Sequence, residues 1–180
     1  MYLARHGQTI FNVVFGTTKR DPGVQDPPLT EKGHAQAHEL ARHFAELEID
    51  RVISSPYTRA LQTAHEVANR LDVPITIDAN ARERSAYACD VGTETPVLAN
   101  AWPHLDFSHL PKIWWDQEEE PLGVFHERCT TFRKTVACAV NWDRIAVITH
   151  WGVIRSLTGR SVGNAELLRC DPRDHHLPLD

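Results

Sequence analysis

The sequence has few cysteines, no long apolar run and no excess of positive charge. Its four cysteines form no C-x-x-C pair, which predicts reduced thiols and a cytoplasmic protein. No apolar stretch approaches the roughly 20 residues of a membrane span, and the first residues lack the basic and apolar regions of a signal peptide. A net charge of −5 argues against a general nucleic-acid-binding surface. We therefore expect no membrane and no nucleic acid as partner, and any anion site must be a local basic pocket.

The composition is that of one folded α/β domain. Hydrophobic residues make up 42% and charged residues 24% of the chain, and 180 residues can bury a sizeable core. Strand-like and helix-like segments alternate, which is typical of a parallel sheet covered by helices. We expect residues 1–180 to form a single domain, a three-layer α/β/α sandwich around a mostly parallel sheet. The oligomeric state leaves no signature in the sequence.

Apolar periodicity and turn residues predict the elements. Short apolar runs predict strands at residues 2–5, 51–55, 73–77, 144–149 and 167–170. Helical spacing predicts helices from Thr30 onward, from Pro56 (with Ser55 as the cap) to about Leu71, and over 93–101, 122–140 and 153–157. The segment from Ile10 to Pro28 is expected to be a long polar loop, in which Lys19 and Arg20 could reach an anion or be solvated.

Residues 85–121 form the least regular part of the sequence, and we expect a lid or insertion there. They contain several aromatic residues, which could receive an apolar leaving group or pack as a small core; the core is favoured. The acidic run at 116–120 is expected to be exposed. Arg82 and Arg84, just before this segment, are expected to be a solvated pair, with binding of a second anionic group as the alternative.

The first candidate functional residues follow the first predicted strand. Arg5 and His6 lie where that strand ends, and Gly7 is expected to let the chain bend. Ligands of open α/β sheets bind beyond the carboxyl ends of the strands. A guanidinium binds oxyanions bidentately, and an imidazole can act as a nucleophile near neutral pH. The pattern favours attack by His6 on a phosphoryl group that Arg5 holds; two solvated side chains are the alternative.

Three further segments carry polar residues at comparable positions. Arg59 lies in the first turn of a predicted helix, where free N–H groups favour an anion. Glu83 follows the third predicted strand, and it could be a general acid or a member of a surface ion cluster. His150 ends the strongest predicted strand. Their joint placement at one edge of a parallel sheet predicts a single site.

The remaining histidines are weaker candidates. His34 and His38 lie four residues apart on a predicted helix, as in some metal sites, but no third ligand has a recognisable spacing. Exposed side chains are therefore expected there. His175 and His176 lie in a polar tail with no expected role. We expect no metal ion and no cofactor.

Taken together, the motifs resemble the histidine phosphatase superfamily, in its phosphoglycerate mutase-like branch. The resemblance covers most of the chain, from residue 3 to about residue 170. The residues that carry it are Leu3-Ala4-Arg5-His6-Gly7-Gln8-Thr9 with Asn12, then Pro28-Leu29-Thr30-x-x-Gly33-x-x-Gln36-Ala37, Ser54-Ser55-Pro56-x-x-Arg59-Ala60-x-Gln62-Thr63-Ala64, Glu83, and Ile148-Thr149-His150-x-Gly152-x-x-Arg155.

The resemblance implies a role for each site residue. His6 would be the nucleophile and form a phosphohistidine. The phosphoryl oxygens would be surrounded by Arg5, Asn12, Arg59 and His150. Glu83 would donate the proton to the leaving group.

The chemistry agrees with these roles. Positioned cations stabilise the charge of a phosphoryl transition state, and two arginines with a protonated His150 could do so without a metal ion. His6 must attack as a neutral imidazole, so we expect a backbone carbonyl to hold its other nitrogen. Glu83 must keep its proton near neutral pH, which predicts a raised pKa from burial or from the substrate's charge.

Two positions depart from the family pattern. Trp151 follows His150 where the family usually has glycine, so its ring lies near the pocket or turns away into the core. The segment from Arg84 to Asp90 lacks the Gly-Trp-Glu-Gly-like sequence that is common in the family. Asp90 is therefore a second candidate for the acid, although a structural role is favoured.

Three functions are consistent with this reading. The leading prediction is a metal-independent phosphatase that hydrolyses a small phosphomonoester. A phosphoglycerate mutase is the second; the chain is shorter than is usual for mutases and lacks a recognisable counterpart of their substrate-clamping insert, which favours hydrolysis. A non-catalytic phosphate-binding domain is the third, and the presence of His6 argues against it because binding alone requires no nucleophile.

Overall fold

A five-stranded sheet forms the centre of residues 1–174, the part of the chain that this computed structural model describes. The strand order is β3-β2-β4-β1-β5, and only the β1–β5 pair is antiparallel. The strands are β1 (Tyr2–Arg5), β2 (Arg51–Ser54), β3 (Ile75–Ile77), β4 (Ile145–Thr149) and β5 (Leu167–Arg169). His175 and His176 lie outside the described residues.

The central strand β4 has all five of its residues buried, as its continuous apolar run predicts. β3 and β5 are the two edge strands and are the shortest, with three residues each. A short edge strand exposes few unpaired backbone groups, which limits edge-to-edge association.

Helices cover both faces of the sheet, so the expected three-layer α/β/α sandwich with a mostly parallel sheet is confirmed. On one face, α2 and α3 bury Leu40, Phe44 and Val67 against β2 and β4. On the other face, Phe132 and Ile154 of α5 and α6 pack against β1 and β4. The six α-helices of the described chain are α1 (Ile10–Thr18), α2 (Glu31–Phe44), α3 (Thr58–Leu71), α4 (Thr95–Ala101), α5 (Leu122–Ala137) and α6 (Trp151–Thr158).

The segment predicted as a long polar loop begins with a helix, so that prediction is wrong for its first half. α1 occupies Ile10–Thr18. Its start is stabilised by a capping box, in which the Thr9 side chain accepts from the Asn12 amide and the Asn12 side chain accepts from the Thr9 amide. The glycines and prolines that suggested a loop lie mostly beyond the C-terminal end of this helix.

The helix after β2 starts two residues later than predicted. Pro56 precedes α3, which begins at Thr58, and Ser55 does not cap it. The cap comes from a distant loop instead: Asp26 accepts from the Thr58 amide at 2.9 Å and from its hydroxyl at 2.7 Å. An acidic side chain is favourable at this end of a helix, so Asp26 ties the loop after α1 to α3.

Residues 85–121 contain little regular structure apart from a 3-10 turn at Ala88–Asp90 and the helix α4. Their aromatic side chains pack as a core, as favoured above, and this core is shared with the sandwich: Phe107 and Trp114 pack against Tyr57 of the β2–α3 turn. Glu120 is the exception to the expected exposed acidic run, because it is buried against Arg128 at 2.6 Å.

Arg82 and Arg84 are paired with that acidic run rather than solvated. Arg82 lies 2.6 Å from Asp116, and Arg84 lies 2.6 Å from Glu119.

Within residues 1–174, every helix falls short of the length or the apolar character that a membrane span requires.

Candidate active site

Three parallel strands end at one edge of the sheet and place the first site residues there. Arg5 ends β1 and is paired with Thr149, which ends β4. The His6 amide donates to Thr149 O at 3.0 Å and so extends the ladder by one residue. Ser55 follows β2 directly, and His150 follows β4. The ring centroids of His6 and His150 lie 5.1 Å apart, as the parallel arrangement predicts.

His6 is a neutral imidazole whose tautomer is fixed. Its Nδ1 lies 2.7 Å from Gly7 O, which is the backbone carbonyl contact expected from the sequence. Nδ1–H therefore donates, and Nε2 keeps its lone pair. Burial lowers the pKa of His6 well below its usual value, and the positive charges of Arg59 and Arg5 lower it further. His6 thus presents an unprotonated nitrogen at neutral pH, as a nucleophile must.

Gly7 is required for a close approach rather than for a bend. Its φ is not positive, whereas a Cβ at this position would lie 2.5 Å from Gly33 O in α2. The Gly7 amide donates to Thr63 Oγ1 of α3 at 3.1 Å. The residue after His6 is therefore packed against two helices, which fixes the carbonyl that orients the His6 ring.

His150 is fully buried, and one of its ring nitrogens has no hydrogen-bond partner among the described residues. Nε2 lies 2.8 Å from Ser55 Oγ, whereas Nδ1 is unpartnered. Burial lowers the pKa of His150 well below its usual value, and the charge of Arg59 adds to this effect. A second buried cation beside Arg59 is unfavourable, so the free site favours a neutral His150 and not the protonated form expected to face a phosphoryl transition state.

Arg59 lies in the first turn of α3, as predicted, and is only 3% exposed. Its Nη1 donates to Cys89 O at 2.7 Å, and its Nη2 lies 3.1 Å from Asp90 Oδ1. The guanidinium carbon lies 4.2 Å from the centroid of the Tyr57 ring. These contacts fix the plane of the guanidinium and leave its remaining N–H groups for an anion.

The Arg5 guanidinium makes one hydrogen bond to the protein and has one buried N–H without a partner. Its Nη1 donates to Val162 O at 3.0 Å, while its buried Nε makes no hydrogen bond within residues 1–174. A buried donor without a partner is costly, and such groups commonly mark a missing ligand or water. Arg5 Nε and His150 Nδ1 are thus two unpartnered buried groups that belong to the predicted site.

Asn12 has its carbonyl oxygen occupied by the protein. Oδ1 accepts from the Thr9 amide at 2.9 Å and from Asn164 Nδ2 at 3.1 Å. Asn164 Nδ2 also donates to His6 O at 3.2 Å. The network orients the amide so that Asn12 Nδ2, a donor, is the group that can face an anion.

Glu83 is a partly buried carboxyl that follows β3 and the 3-10 turn at Ala79–Ala81. Its Oε2 accepts from the Gly152 amide at 3.0 Å, and its Oε1 accepts from the Arg84 amide at 3.0 Å. Burial raises the pKa of Glu83, and the negative charge of Asp90 raises it further. The predicted direction of this shift is confirmed, and it favours a proton-carrying carboxyl closer to neutral pH.

Asp90 occupies a structural position. Its Oδ1 pairs with Arg59, and its Oδ2 accepts from the amides of Ala86 and Tyr87 at 3.2 and 3.1 Å. Burial raises the pKa of Asp90 as it raises that of Glu83, but both Asp90 oxygens are engaged in holding Arg59 and the backbone of Ala86 and Tyr87. The geometry favours Asp90 as the residue that holds Arg59, with Glu83 as the acid candidate.

Several residues help to build the site in ways that the sequence does not predict. Ser55 was expected to cap a helix, but its hydroxyl contacts His150 instead. Gln36 accepts from the Gln8 amide, and Gln62 accepts from the Leu29 amide, which anchors the chain on either side of α1. The motif spacing locates both glutamines, but their partners become visible only when distant segments are brought together.

Trp151 lies at the surface and not in the core. It is 37% exposed, its Nε1 donates to Ser161 Oγ at 2.8 Å, and the Arg155 guanidinium lies over its ring. Ser161 precedes Val162, whose carbonyl accepts from Arg5, so Trp151 stabilises a loop of the site.

His34 and His38 are both exposed, and residues 1–174 contain no cluster of three potential metal ligands.

Comparison with known proteins places this geometry in a family. The model of the histidine phosphatase superfamily (branch 1) matches residues 1–172. A curated relative, a probable phosphoglycerate mutase from Escherichia coli K12, is 39% identical over 83 residues, which is 46% of this chain and 37% of the relative. The match thus spans little more than a third of the length of the curated relatives.

Solved structures of the same fold extend over nearly the whole chain. A putative alpha-ribazole-5'-P phosphatase from Escherichia coli is 25% identical with a TM-score of 0.61, covering 88% of this chain and 78% of that one. The ecdysone phosphate phosphatase from Bombix mori has a TM-score of 0.70 at 17% identity, covering 92% and 86%, and shows the shared fold. The chain belongs to the histidine phosphatase superfamily, branch 1.

Proposed function

We propose that the protein is a metal-independent phosphatase that hydrolyses a phosphomonoester through a phosphohistidine on His6. The observation that carries this proposal is the pair of unpartnered buried groups, Arg5 Nε and His150 Nδ1, beside the neutral ring of His6. A phosphoryl group offers each of them an acceptor oxygen. Arg59 and Asn12 Nδ2 add two more donors around it.

In the first step, the lone pair of His6 Nε2 attacks phosphorus and the bond to the leaving oxygen breaks. Glu83 gives its proton to that oxygen, so an alcohol departs and Glu83 becomes a carboxylate. Arg5 and Arg59 balance the charge on the three equatorial oxygens. The Nδ1–H of His6 stays bonded to Gly7 O, which supports the positive charge that the ring acquires.

In the second step, water attacks the phosphohistidine and Glu83 takes the water proton. The nitrogen–phosphorus bond breaks, inorganic phosphate forms, and His6 returns to its neutral tautomer. Both steps use the same cations and the same carboxyl, so the acid of the first step is the base of the second.

His150 donates to the phosphoryl group as a neutral ring. For Nδ1 to carry a proton while the ring is neutral, Nε2 must accept a hydrogen bond. Ser55 Oγ, 2.8 Å away, is the group that can donate it. A bound dianion also opposes the burial effect that keeps the ring neutral in the free site, so the pKa of His150 rises when phosphate binds.

Phosphoglycerate mutase activity is the second candidate, and the probable mutases among the relatives favour it. That chemistry needs a cation for the substrate carboxylate. Arg82 and Arg84, the candidates for a second anionic group, are instead paired with Asp116 and Glu119. Hydrolysis of an ester without a second anionic group therefore fits the site better.

The test is turnover of p-nitrophenyl phosphate in excess EDTA, together with conversion of 3-phosphoglycerate in the presence of bisphosphoglycerate. If the protein is a phosphatase, it should release phosphate in the presence of EDTA, and His6→Ala should abolish this release. Isomerisation of 3-phosphoglycerate at a higher rate than hydrolysis would establish the mutase instead. Thermal stabilisation by phosphate with no turnover of either compound would establish a binding domain.

A further inference from the structure

The helix α1 is apolar, yet none of its residues is buried. Ile10 and Val13 are 40% and 42% exposed, and Phe11, Val14 and Phe15 are only partly covered. A surface helix normally buries its apolar face against the core. Apolar surface left in water costs roughly 25 cal/mol per Å², so an uncovered face of this kind often marks a binding surface.

Two rings of α1 and one ring from the segment before Asp90 form a continuous surface. We call this surface, made of Phe11, Phe15 and Tyr87, the aromatic shelf. Phe11 and Phe15 stack at 5.1 Å between centroids. Tyr87 lies 5.3 Å from Phe11 and 5.1 Å from Phe15, and it is 45% exposed. The rings therefore pack on one another and keep an open face, unlike the buried tryptophan core nearby.

The aromatic shelf is made by two segments that also carry residues of the proposed phosphate site. Phe11 is adjacent in sequence to Asn12, and Asn164 links Asn12 to the backbone of His6. The Tyr87 amide donates to Asp90 Oδ2, and Asp90 Oδ1 holds Arg59. Phe11 is therefore next to Asn12 in the chain, and Tyr87 is connected to Arg59 through Asp90.

A hydrogen bond closes the outer side of this arrangement. Asp21 Oδ2, beyond the end of α1, accepts from the Ala88 amide at 2.7 Å. It links the loop after α1 to the residue after Tyr87. The two segments are therefore held together in the free protein, so the shelf is preformed and does not have to assemble on binding.

The three rings of the shelf carry no charge, and several basic side chains of the protein already have partners. Arg82 and Arg84 are neutralised by acidic residues, and Arg128 is paired with the buried Glu120. Lys19 turns back over the ring of Phe15 and donates to Gly16 O. An uncharged, apolar group is the occupant that these residues match.

We infer that the aromatic shelf holds the alcohol portion of the substrate, so the substrates are phosphomonoesters of aromatic or extended apolar alcohols. This inference rests on the proposed phosphatase activity. The phosphoryl group fixes one end of the substrate at His6, and the alcohol portion then extends away from His6. The shelf belongs to the segments that carry Asn12 and Asp90, and its rings offer stacking that a polar alcohol cannot use.

The experiment compares two alkyl esters, phenethyl phosphate and glycerol 3-phosphate, whose leaving oxygens are chemically similar. The wild-type protein is expected to prefer phenethyl phosphate in kcat/KM by at least roughly tenfold, since 1.4 kcal/mol corresponds to a factor of ten. The double variant Phe15→Ala with Tyr87→Ala is expected to lose that preference, through KM for phenethyl phosphate alone. The single variant Tyr87→Phe keeps the aromatic ring and is expected to keep the preference for phenethyl phosphate.

A matched control is Val13→Ser, which removes an equally exposed apolar side chain from α1 outside the shelf and is expected to keep the preference. Equal kcat/KM for the two esters in the wild type, or a preference that survives the double variant, would overturn the inference. So would a shift from dimer to monomer in sedimentation velocity caused by the double variant, because the shelf would then be a contact between copies. Absence of turnover of both esters and of p-nitrophenyl phosphate would mean instead that the proposed function has failed.

Discussion

The hydroxyl oxygen of Ser55 lies 2.8 Å from Nε2 of the buried ring of His150. The Tyr57 amide approaches the same hydroxyl at 3.4 Å, so the hydroxyl hydrogen is free to point at the imidazole. In the proposed mechanism, this contact lets His150 donate from Nδ1 as a neutral ring. Burial and the charges of Arg59 and Arg5 lower the pKa of His150, which favours that neutral form.

Ser55→Ala is expected to lower kcat/KM by about tenfold, because a hydrogen bond of this kind contributes about 1–1.5 kcal/mol. The positioning role has a spectroscopic signature. Nitrogen-15 NMR of the phosphate complex should show the Nδ1–H tautomer of His150 in the wild type and a loss of that tautomer in the variant. Ser54→Ala is the matched control, because the equally buried Ser54 hydroxyl donates to a backbone carbonyl instead. An unchanged His150 spectrum in Ser55→Ala would contradict the role.

Glu83→Gln should affect esters according to their leaving groups. A general acid contributes roughly 10²–10⁴-fold when the leaving group is an alkoxide and little when it is p-nitrophenolate. We therefore expect a large loss of kcat for an alkyl phosphate and a small effect on the first turnover of p-nitrophenyl phosphate, measured by stopped flow. Equal losses for both esters would mean that Glu83 is not the proton donor.

Gly152→Ala is expected to damage activity through Glu83 rather than through folding. A Cβ at position 152 would overlap Oε1 of Glu83, whose other oxygen is held by the Gly152 amide. The displaced carboxyl should reduce alkyl phosphate turnover to about that of Glu83→Gln. The control is Gly123→Ala in α5, where the new Cβ meets no atom within 4 Å. That change is expected to leave activity unaltered and to stabilise the helix by about 0.5–1 kcal/mol.

Protein stability should fall as the pH falls below about 6.5, the ordinary pKa of histidine in an unfolded chain. The pKa values of His6 and His150 are both lowered in the folded state, so below that pH the unfolded chain binds protons that the folded chain cannot. Each such histidine makes the free energy of unfolding drop by up to about 1.4 kcal/mol per pH unit. Urea unfolding from pH 7 to pH 5 measures this slope, and His150→Gln should reduce it. A slope that is the same in the variant and the wild type would contradict the buried neutral ring.

The sheet, the two helix layers and the positions of Arg5, His6 and His150 could be predicted from the sequence. Each depends on local information: an apolar run identifies a strand, and parallel strands bring their carboxyl ends to the same edge. The carbonyl that holds His6 could be expected for the same reason, since Gly7 is its sequence neighbour.

Features that depend on contacts between distant segments could not be predicted. The α1 segment was predicted as a loop because its glycines and prolines outweighed a short helix that buries no residue in the core. The role of Ser55 depends on a ring 95 residues away, and Asp26 caps a helix that starts 32 residues later. Glu120 looked like one more exposed acid, but its partner is Arg128 on the next helix.

Trapping the phosphoryl group on His6 tests the central claim most directly. Glu83→Gln, mixed with p-nitrophenyl phosphate, should form the intermediate and hydrolyse it slowly because the base of the second step is missing. After an alkaline quench, intact-mass and peptide mass spectrometry should find one phosphoryl group, on His6, and none in the double variant His6→Ala with Glu83→Gln. A phosphoryl group on another residue, or full turnover by His6→Ala, would contradict the mechanism.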